Sequence, residues 1–143
     1  MAVAIRRLRP GDEHAVLAAG ALFDEAPKPD ATRRFLAEPT HHLLLACDDA
    51  GAPLGFVSGV ETTHPDKGTE MFLYELSVDE GVRRRGIGRS LVEALAALAR
   101  ERGCYGMWVG TEPENEAARR TYASAGGRET PAHLIIEWDL GSA

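Results

Sequence analysis

Apolar residues recur along this chain with two different periods, and the changes of period mark its elements. Ile87, Leu91, Leu95 and Leu98 fall at helical spacing with Ala94 and Ala99 beside them, and Gly103 closes the run after Arg100 and Arg102. That pattern predicts a long helix. Residues 71–78 are rich in aromatic and β-favouring side chains and end in Asp79-Glu80-Gly81, which predicts a strand and its closing turn. Residues 3–9 alternate enough for a first strand, and Pro10-Gly11-Asp12 predicts a turn whose Asp12 caps a helix through Leu22 and Phe23. After the break at residues 26–30, Asp30 is expected to cap a short helix through Phe35 and Leu36, stopped near Pro39. Residues 42–47 and 53–61 predict two strands around a hairpin turn at residues 48–51, and residues 64–68 a polar loop. Residues 105–110 predict a further strand, followed by a helix holding Tyr122, a stop at Gly126-Gly127, and a final alternating strand at residues 133–140. Strands and helices mix without strict βαβ repetition, so the expected class is mixed α/β or α+β around one sheet.

The 143 residues predict one domain spanning the whole chain, with no repeat or linker, and the composition is that of an ordinary globular protein. No apolar run reaches the roughly 18 residues of a membrane span, and the first nine residues lack the apolar block of a signal peptide, so a cytoplasmic location is expected. The net charge of −6 argues against nonspecific nucleic-acid binding and favours a cationic partner. Cys47 and Cys104 are widely separated, and the histidines lack metal-ligand spacing, so no metal site is expected.

The strand-to-helix turn carries the candidate chemistry. Arg83, Arg84, Arg85, Gly86, Ile87, Gly88 and Arg89 place basic side chains and two glycines at a helix entrance. Such an entrance offers unpaired N–H groups and partial positive charge, glycine lets a phosphate approach the backbone, and arginine supplies forked donors. The ordinary reading of the same residues is a solvated basic turn. A second segment stands about thirty residues later, with Asn115, Ala118, Tyr122 and Gly126 spaced three, four and four apart.

Taken together, Arg83-Arg84-Arg85-Gly86-Ile87-Gly88 and the Asn115 to Gly126 pattern resemble the GCN5-related N-acetyltransferase (GNAT) family, in the same order and with a strand-like stretch between them. The resemblance covers most of the chain from about His42 to Leu140. It implies an acyl-CoA N-acyltransferase fold, with a mixed, partly splayed central sheet flanked by helices, and acetyl-CoA as co-substrate between the two central strands. It further implies that the turn from Arg83 to Arg89 takes the pyrophosphate, that the backbone of Leu76, Ser77 and Val78 pairs with the pantetheine arm, and that Asn115 bonds the arm, unless it caps its helix. Tyr122 would be the general acid, because a phenol of pKa ~10 can protonate a departing thiolate of pKa ~8.5. An amine of pKa ~10.4 costs roughly 4.6 kcal/mol to deprotonate at neutral pH, so a base is useful, and Glu75 and Glu112 are the candidates. Many relatives carry a glutamate where this chain has Gly110.

Within the family the chain looks most like small aminoglycoside 3-N-acetyltransferases, which implies antibiotic resistance as a role. An acidic rim of Glu61, Asp66, Glu70, Glu75, Glu112 and Glu114 would suit a cationic small-molecule amine. Acetylation of a peptide or protein, acetylation of a small metabolite amine, and a noncatalytic acetyl-CoA-binding module stand as alternatives. A homodimer is the general expectation for such a chain.

Overall fold

The computed structural model describes residues 2–141. Its elements follow in the order β1 (Ala4–Arg7), α1 (Glu13–Ala18), α2 (Pro29–Ala37), β2 (His41–Cys47), β3 (Pro53–His64), β4 (Gly68–Val78), α3 (Ile87–Glu101), β5 (Met107–Trp108) and α4 (Glu116–Ser124), with 3₁₀ turns at Gly20–Leu22 and Glu80–Val82. Five strands form one mixed sheet in sequence order, antiparallel from β1 to β4 and parallel between β4 and β5. The mixed α/β expectation therefore holds.

Strand β2 is apolar from Leu43 onward because both of its faces are covered. Leu44 and Ala46 join Val57, Met71, Leu73, Leu91 and Leu95 on the α3 side, while Leu43 and Leu45 join Phe56, Val16 and Leu36 on the α1–α2 side. The hairpin turn is closed by Asp48, whose Oδ1 accepts from the N–H groups of Ala50 and Ala52, with Gly51 at φ +83°.

Five expectations need correction. Asp12 precedes α1, but its carboxylate accepts from the Arg9 N–H at 2.7 Å and leaves the helix uncapped. That helix stops at Ala18, and Phe23 leaves it to stack on Phe56 with ring centroids 4.2 Å apart. Asp30 is no cap: Pro29 starts α2 one residue earlier, where its missing N–H is harmless, and Asp30 lies in the first turn. Strand β5 has two residues rather than six, and residues 133–140 form no strand. The alternation at residues 133–140 is suited to a ladder, but among the described residues no strand lies beside it.

At the far end of β2 and β3 from the proposed turn, the side chains of His42 and Glu61 are buried beneath the exposed Arg102. His42 Nε2 lies 2.6 Å from Glu61 Oε2, and Arg102 Nε donates to the same oxygen at 2.7 Å. Burial pushes the His42 imidazole below its usual pKa, against the pull of Glu61, so the neutral ring donates from Nε2. Burial opposes ionisation of Glu61 as well, but the bonds from Arg102 and His42 hold its carboxyl below the usual range. Both shifts have the same sign of effect, because on acidification the unfolded chain takes up protons that the folded chain excludes. Thermal stability should therefore fall as pH drops below ~6.5, first through His42 and then through Glu61, by at most about 1.4 kcal/mol per pH unit for each group. Melting temperatures between pH 7 and 5 check this, and His42→Leu should flatten the decline.

Candidate active site

The site begins with a β-bulge in β4. Ser58 pairs with Glu75 and Gly59 with Leu73, so Tyr74 is the extra residue. The Glu75 N–H, displaced from the ladder, donates instead to the buried Ser58 hydroxyl at 3.2 Å. Opposite the bulge, a side chain on Gly59 would meet Met71 Sδ at 2.9 Å and Leu95 at 3.0 Å, so glycine lets α3 approach.

The extra residue exchanges the faces of the strand. Before it, Met71 and Leu73 pack beneath α3; after it, Leu76 and Val78 do so. Glu75 and Ser77 consequently turn to the other face, where Ser77 Oγ donates to the Leu22 carbonyl at 2.7 Å and tethers the α1–α2 connection. Asp24 of that connection lies within electrostatic reach of Glu75. An open cleft of about 510 Å³ separates the connection at Leu22, Phe23 and Asp24 from the end of β4 at Ser77, Val78 and Asp79.

Beyond the bulge β4 loses its second neighbour. Strand β5 pairs only at Met71–Met107 and Phe72–Trp108, so residues 73–78 have an open edge. The Asp79 N–H donates to the Leu54 carbonyl at 2.8 Å, which turns Asp79 toward β3. By alternation the N–H and C=O of Ser77 also face β3, whereas those of Leu76 and Val78 face the gap. Leu76 thus offers its N–H and C=O to an extended ligand and Val78 its N–H, the Val78 carbonyl being taken by Arg83, whereas Ser77 offers neither.

The open edge runs into the entrance of α3. Gly86 occupies its N-cap position at φ +77°, and no side chain caps the helix. The first intrahelical bond begins at the Ser90 N–H, which leaves the earlier N–H groups of Ile87, Gly88 and Arg89 without helical partners. Arg84 also lies at positive φ, +66°, a conformation that costs a non-glycine residue of order 1–3 kcal/mol. Two left-handed residues, Arg84 and Gly86, thus flank Arg85 in the turn that enters α3. The side chains of Arg84 and Arg85 are exposed and make no hydrogen bond or ion pair among the described residues.

The other residues of the turn are already engaged. Arg83 Nε donates to the Val78 carbonyl at 3.2 Å, and its guanidinium faces Glu80. Arg89 pairs with Glu93 one turn along α3. Ile87 is a core residue that offers only its backbone. Gly88 serves packing: a side chain there would sit 3.2 Å from Thr121 Cγ2, where α4 crosses α3. Of the two glycines, only Gly86 has the conformation and the open space that a bound anion would use.

Helix α4 supplies the remaining candidates. Asn115 Oδ1 accepts from the Ala118 N–H at 3.1 Å, so the cap is the engagement found. Tyr122 is half-buried against the cluster that holds Leu76 and Val78, and its hydroxyl has no protein partner among the described residues. Burial raises its pKa and keeps the phenol protonated. Glu112 is exposed on the turn before α4, and only its carbonyl is used, by the Asn115 N–H. Burial first, then Asp24, push the Glu75 carboxyl above the usual range.

The acidic rim does not assemble. Glu61 is buried with His42 and Arg102, Glu70 accepts from the Tyr105 hydroxyl at 3.0 Å, and Asp66 pairs with Lys67. Glu70 and Glu75, five residues apart on one strand, are separated by roughly 16 Å. Asp24, by contrast, was not foreseen, because only the tertiary fold brings its loop to β4.

Residues 11–126 match the model of the acetyltransferase (GNAT) family. The chain belongs to this family. Over 78 residues, 54% of the chain, it is 35% identical to the L-2,4-diaminobutyric acid acetyltransferase of Streptomyces coelicolor, and it spans 45% of that relative's length. Its fold matches the aminoglycoside acetyltransferase HMB0005 from an uncultured soil metagenomic sample at a TM-score of 0.80 and 26% identity, covering 96% of this chain and 99% of that one. AAC(6′)-Iy, solved with the bisubstrate analog CoA-S-monomethyl-acetylneamine, matches at a TM-score of 0.83 and 20% identity over 96% and 99% of the two chains. The 3-N regiochemistry suggested by the sequence gains no support, since this neighbour is named for the 6′ position. The GNAT fold accounts for the splayed β4 and β5.

The separate tasks of the turn can be tested by stability. Gly88→Val should lower stability by about 1–3 kcal/mol through the clash with Thr121, whereas Arg85→Ala should leave it within about 0.5 kcal/mol. Denaturant unfolding of both variants distinguishes them.

Proposed function

We propose that this GNAT chain transfers the acetyl group of acetyl-CoA to a primary amine of a cationic small molecule, with polyamine sugars of the aminoglycoside type as the leading class. The observation that supports the cofactor reading is the continuity of the open β4 edge with the uncapped, left-handed entrance to α3. The entrance N–H groups, with Arg84 and Arg85, fit a pyrophosphate, and the gap-facing groups of Leu76 with the N–H of Val78 fit an amide-bearing arm. Acetyl-CoA supplies an activated thioester.

The residues then divide the proton traffic. The gap-facing N–H of Leu76 is a donor for charge developing on the thioester oxygen. As the acceptor nitrogen bonds to the carbonyl carbon and the carbon–sulfur bond breaks, the Tyr122 hydroxyl gives its proton to the leaving sulfur. On the opposite face, Glu75 and Asp24 line the acceptor side, attract a cationic amine, and give Glu75 a raised proton affinity for the nitrogen's proton. Glu112 is the weaker candidate because no fold contact directs its side chain. The relative named for a diamino acid and the neighbours named for aminoglycosides support a substrate with more than one amine.

Purified protein is expected to release CoA from acetyl-CoA with gentamicin-like aminoglycosides, and faster than with monoamines or peptides. Turnover of a peptide with none on any aminoglycoside would overturn the substrate class, and binding of acetyl-CoA with no turnover across the panel would favour a noncatalytic module. Tyr122→Phe should lower kcat by about 10²-fold with acetyl-CoA affinity unchanged. The acid limb of the kcat/KM profile should lie above the ordinary carboxylate pKa of ~4.3, and Asp24→Asn should move it down by removing the neighbouring charge. An unmoved limb would dismiss Glu75 as the titrating base.

A further inference from the structure

Asp24 stands on a stretch of chain that cannot fix its own position. Among the described residues, residues 24–27 take part in no hydrogen bond, and the Asp24 carboxylate is exposed and in no ion pair. Pro27 Cδ returns to 3.5 Å from where a Cβ on Gly20 would stand, so residues 21–26 form a closed excursion. Such an excursion keeps its place through the contacts at its base.

Two contacts meet that need. The Phe23 ring stacks on Phe56 of β3, an apolar contact with little directional demand. The Ser77 hydroxyl donates to the Leu22 carbonyl at 2.7 Å, a directional bond between residues 55 apart in sequence. Ser77 and Phe56 are register partners on β4 and β3, so both contacts hold the connection at one point. Asp24 follows Leu22 by two residues, and Glu75 precedes Ser77 by two on the same face of β4, roughly 7 Å along the strand. The hydroxyl therefore ties together the two short segments that carry the acids.

The neighbouring charges leave this relation to Asp24. Ser58, which pairs with Glu75 from β3, is uncharged, and β5 brings Trp108. At the other end of the cleft Asp79 accepts from the Gly81 N–H, and Glu80 faces Arg83. Among the described residues, Asp24 is the charged group within electrostatic reach of Glu75.

We propose that Ser77 is a positioning residue for the acceptor side: by holding the Leu22 carbonyl, its hydroxyl keeps the Asp24 carboxylate beside Glu75 and makes the two acids one recognition pair for a cationic amine. The proposal rests on the reading of Glu75 and Asp24 as acceptor groups given above. Serine supplies the bond from a side chain short enough to draw the connection onto the strand, while the backbone of the same residue remains in the β3–β4 ladder.

The Glu75 titration tests this without any substrate. Carboxyl-carbon NMR on glutamate-labelled protein follows the midpoint, with Glu75→Gln assigning the signal and circular dichroism checking each fold. The midpoint should fall in Asp24→Asn, which removes the neighbouring charge, and in Ser77→Ala, which releases it; Ser77→Thr, which keeps the hydroxyl, should restore it. Added to Asp24→Asn, Ser77→Ala should change nothing further. With acetyl-CoA and gentamicin, Ser77→Ala should raise KM for gentamicin about two- to fivefold, the scale of one exposed charge contact, with kcat and acetyl-CoA affinity retained. A midpoint that falls in Asp24→Asn but not in Ser77→Ala overturns the proposal. So does a second fall of equal size in the double variant, because the hydroxyl would then act through solvent access. A midpoint that Asp24→Asn leaves in place removes the pair itself, and the proposal with it. Titrations as expected but no turnover of any amine would fault the acceptor reading and leave the tether standing.

Discussion

The single extra residue at Tyr74 is the constraint from which the site follows. An unbulged β4 would continue to place odd-numbered side chains beneath α3, and Glu75 would be driven into an apolar core. With Tyr74 inserted, Leu76 and Val78 fill that core while Glu75 and Ser77 appear on the opposite face. The bulge also bends the strand just after its two pairs with β5, so pairing ends there and the edge opens. Ser58 satisfies the stranded N–H of Glu75, which makes the irregularity compatible with a buried environment.

Opening an edge inside a sheet exposes backbone donors and acceptors that elsewhere are paired. The fold confines that exposure to the few residues between Leu73 and the 3₁₀ turn, then places a helix entrance at its end. Gly86 and the strained Arg84 keep that entrance free of the side-chain caps used at α4, where Asn115 closes its own helix. The contrast between the two helices is physical: one N-terminus is capped by a side chain of the protein, the other is not.

Much of this was legible in the sequence, and the failures share one cause. Periodicity located α3 and the motif spacing located α4, because both depend on local pattern and capping chemistry. The parity change from Met71 and Leu73 to Leu76 and Val78 was visible in the letters, but its meaning depends on which face α3 covers. Residues 133–140 carried the alternation of a strand, but among the described residues no neighbouring strand supplies the ladder that would make it one. The acidic rim failed because sequence proximity to β4 says nothing about position along it: five residues of strand separate Glu70 from Glu75, whereas the chain folds Asp24 back from fifty residues away. Gly88 resembled a phosphate glycine by motif, yet the nearest demand on it is the methyl group of Thr121.

The two ends of β3 and β4 therefore carry carboxylates for opposite purposes. Glu61 sits where the sheet is fully paired, its charge neutralised by Arg102 and bonded by neutral His42, so it can contribute rigidity but attract little from solvent. Glu75 sits where pairing has just failed, half-buried and beside Asp24, and no ion pair among the described residues offsets its raised proton affinity. A cation relieves that imbalance at the second site and finds none to relieve at the first. The same residue type is thus structural at the closed end of the sheet and suited to an amine at the open end, and the bulge decides which end is open.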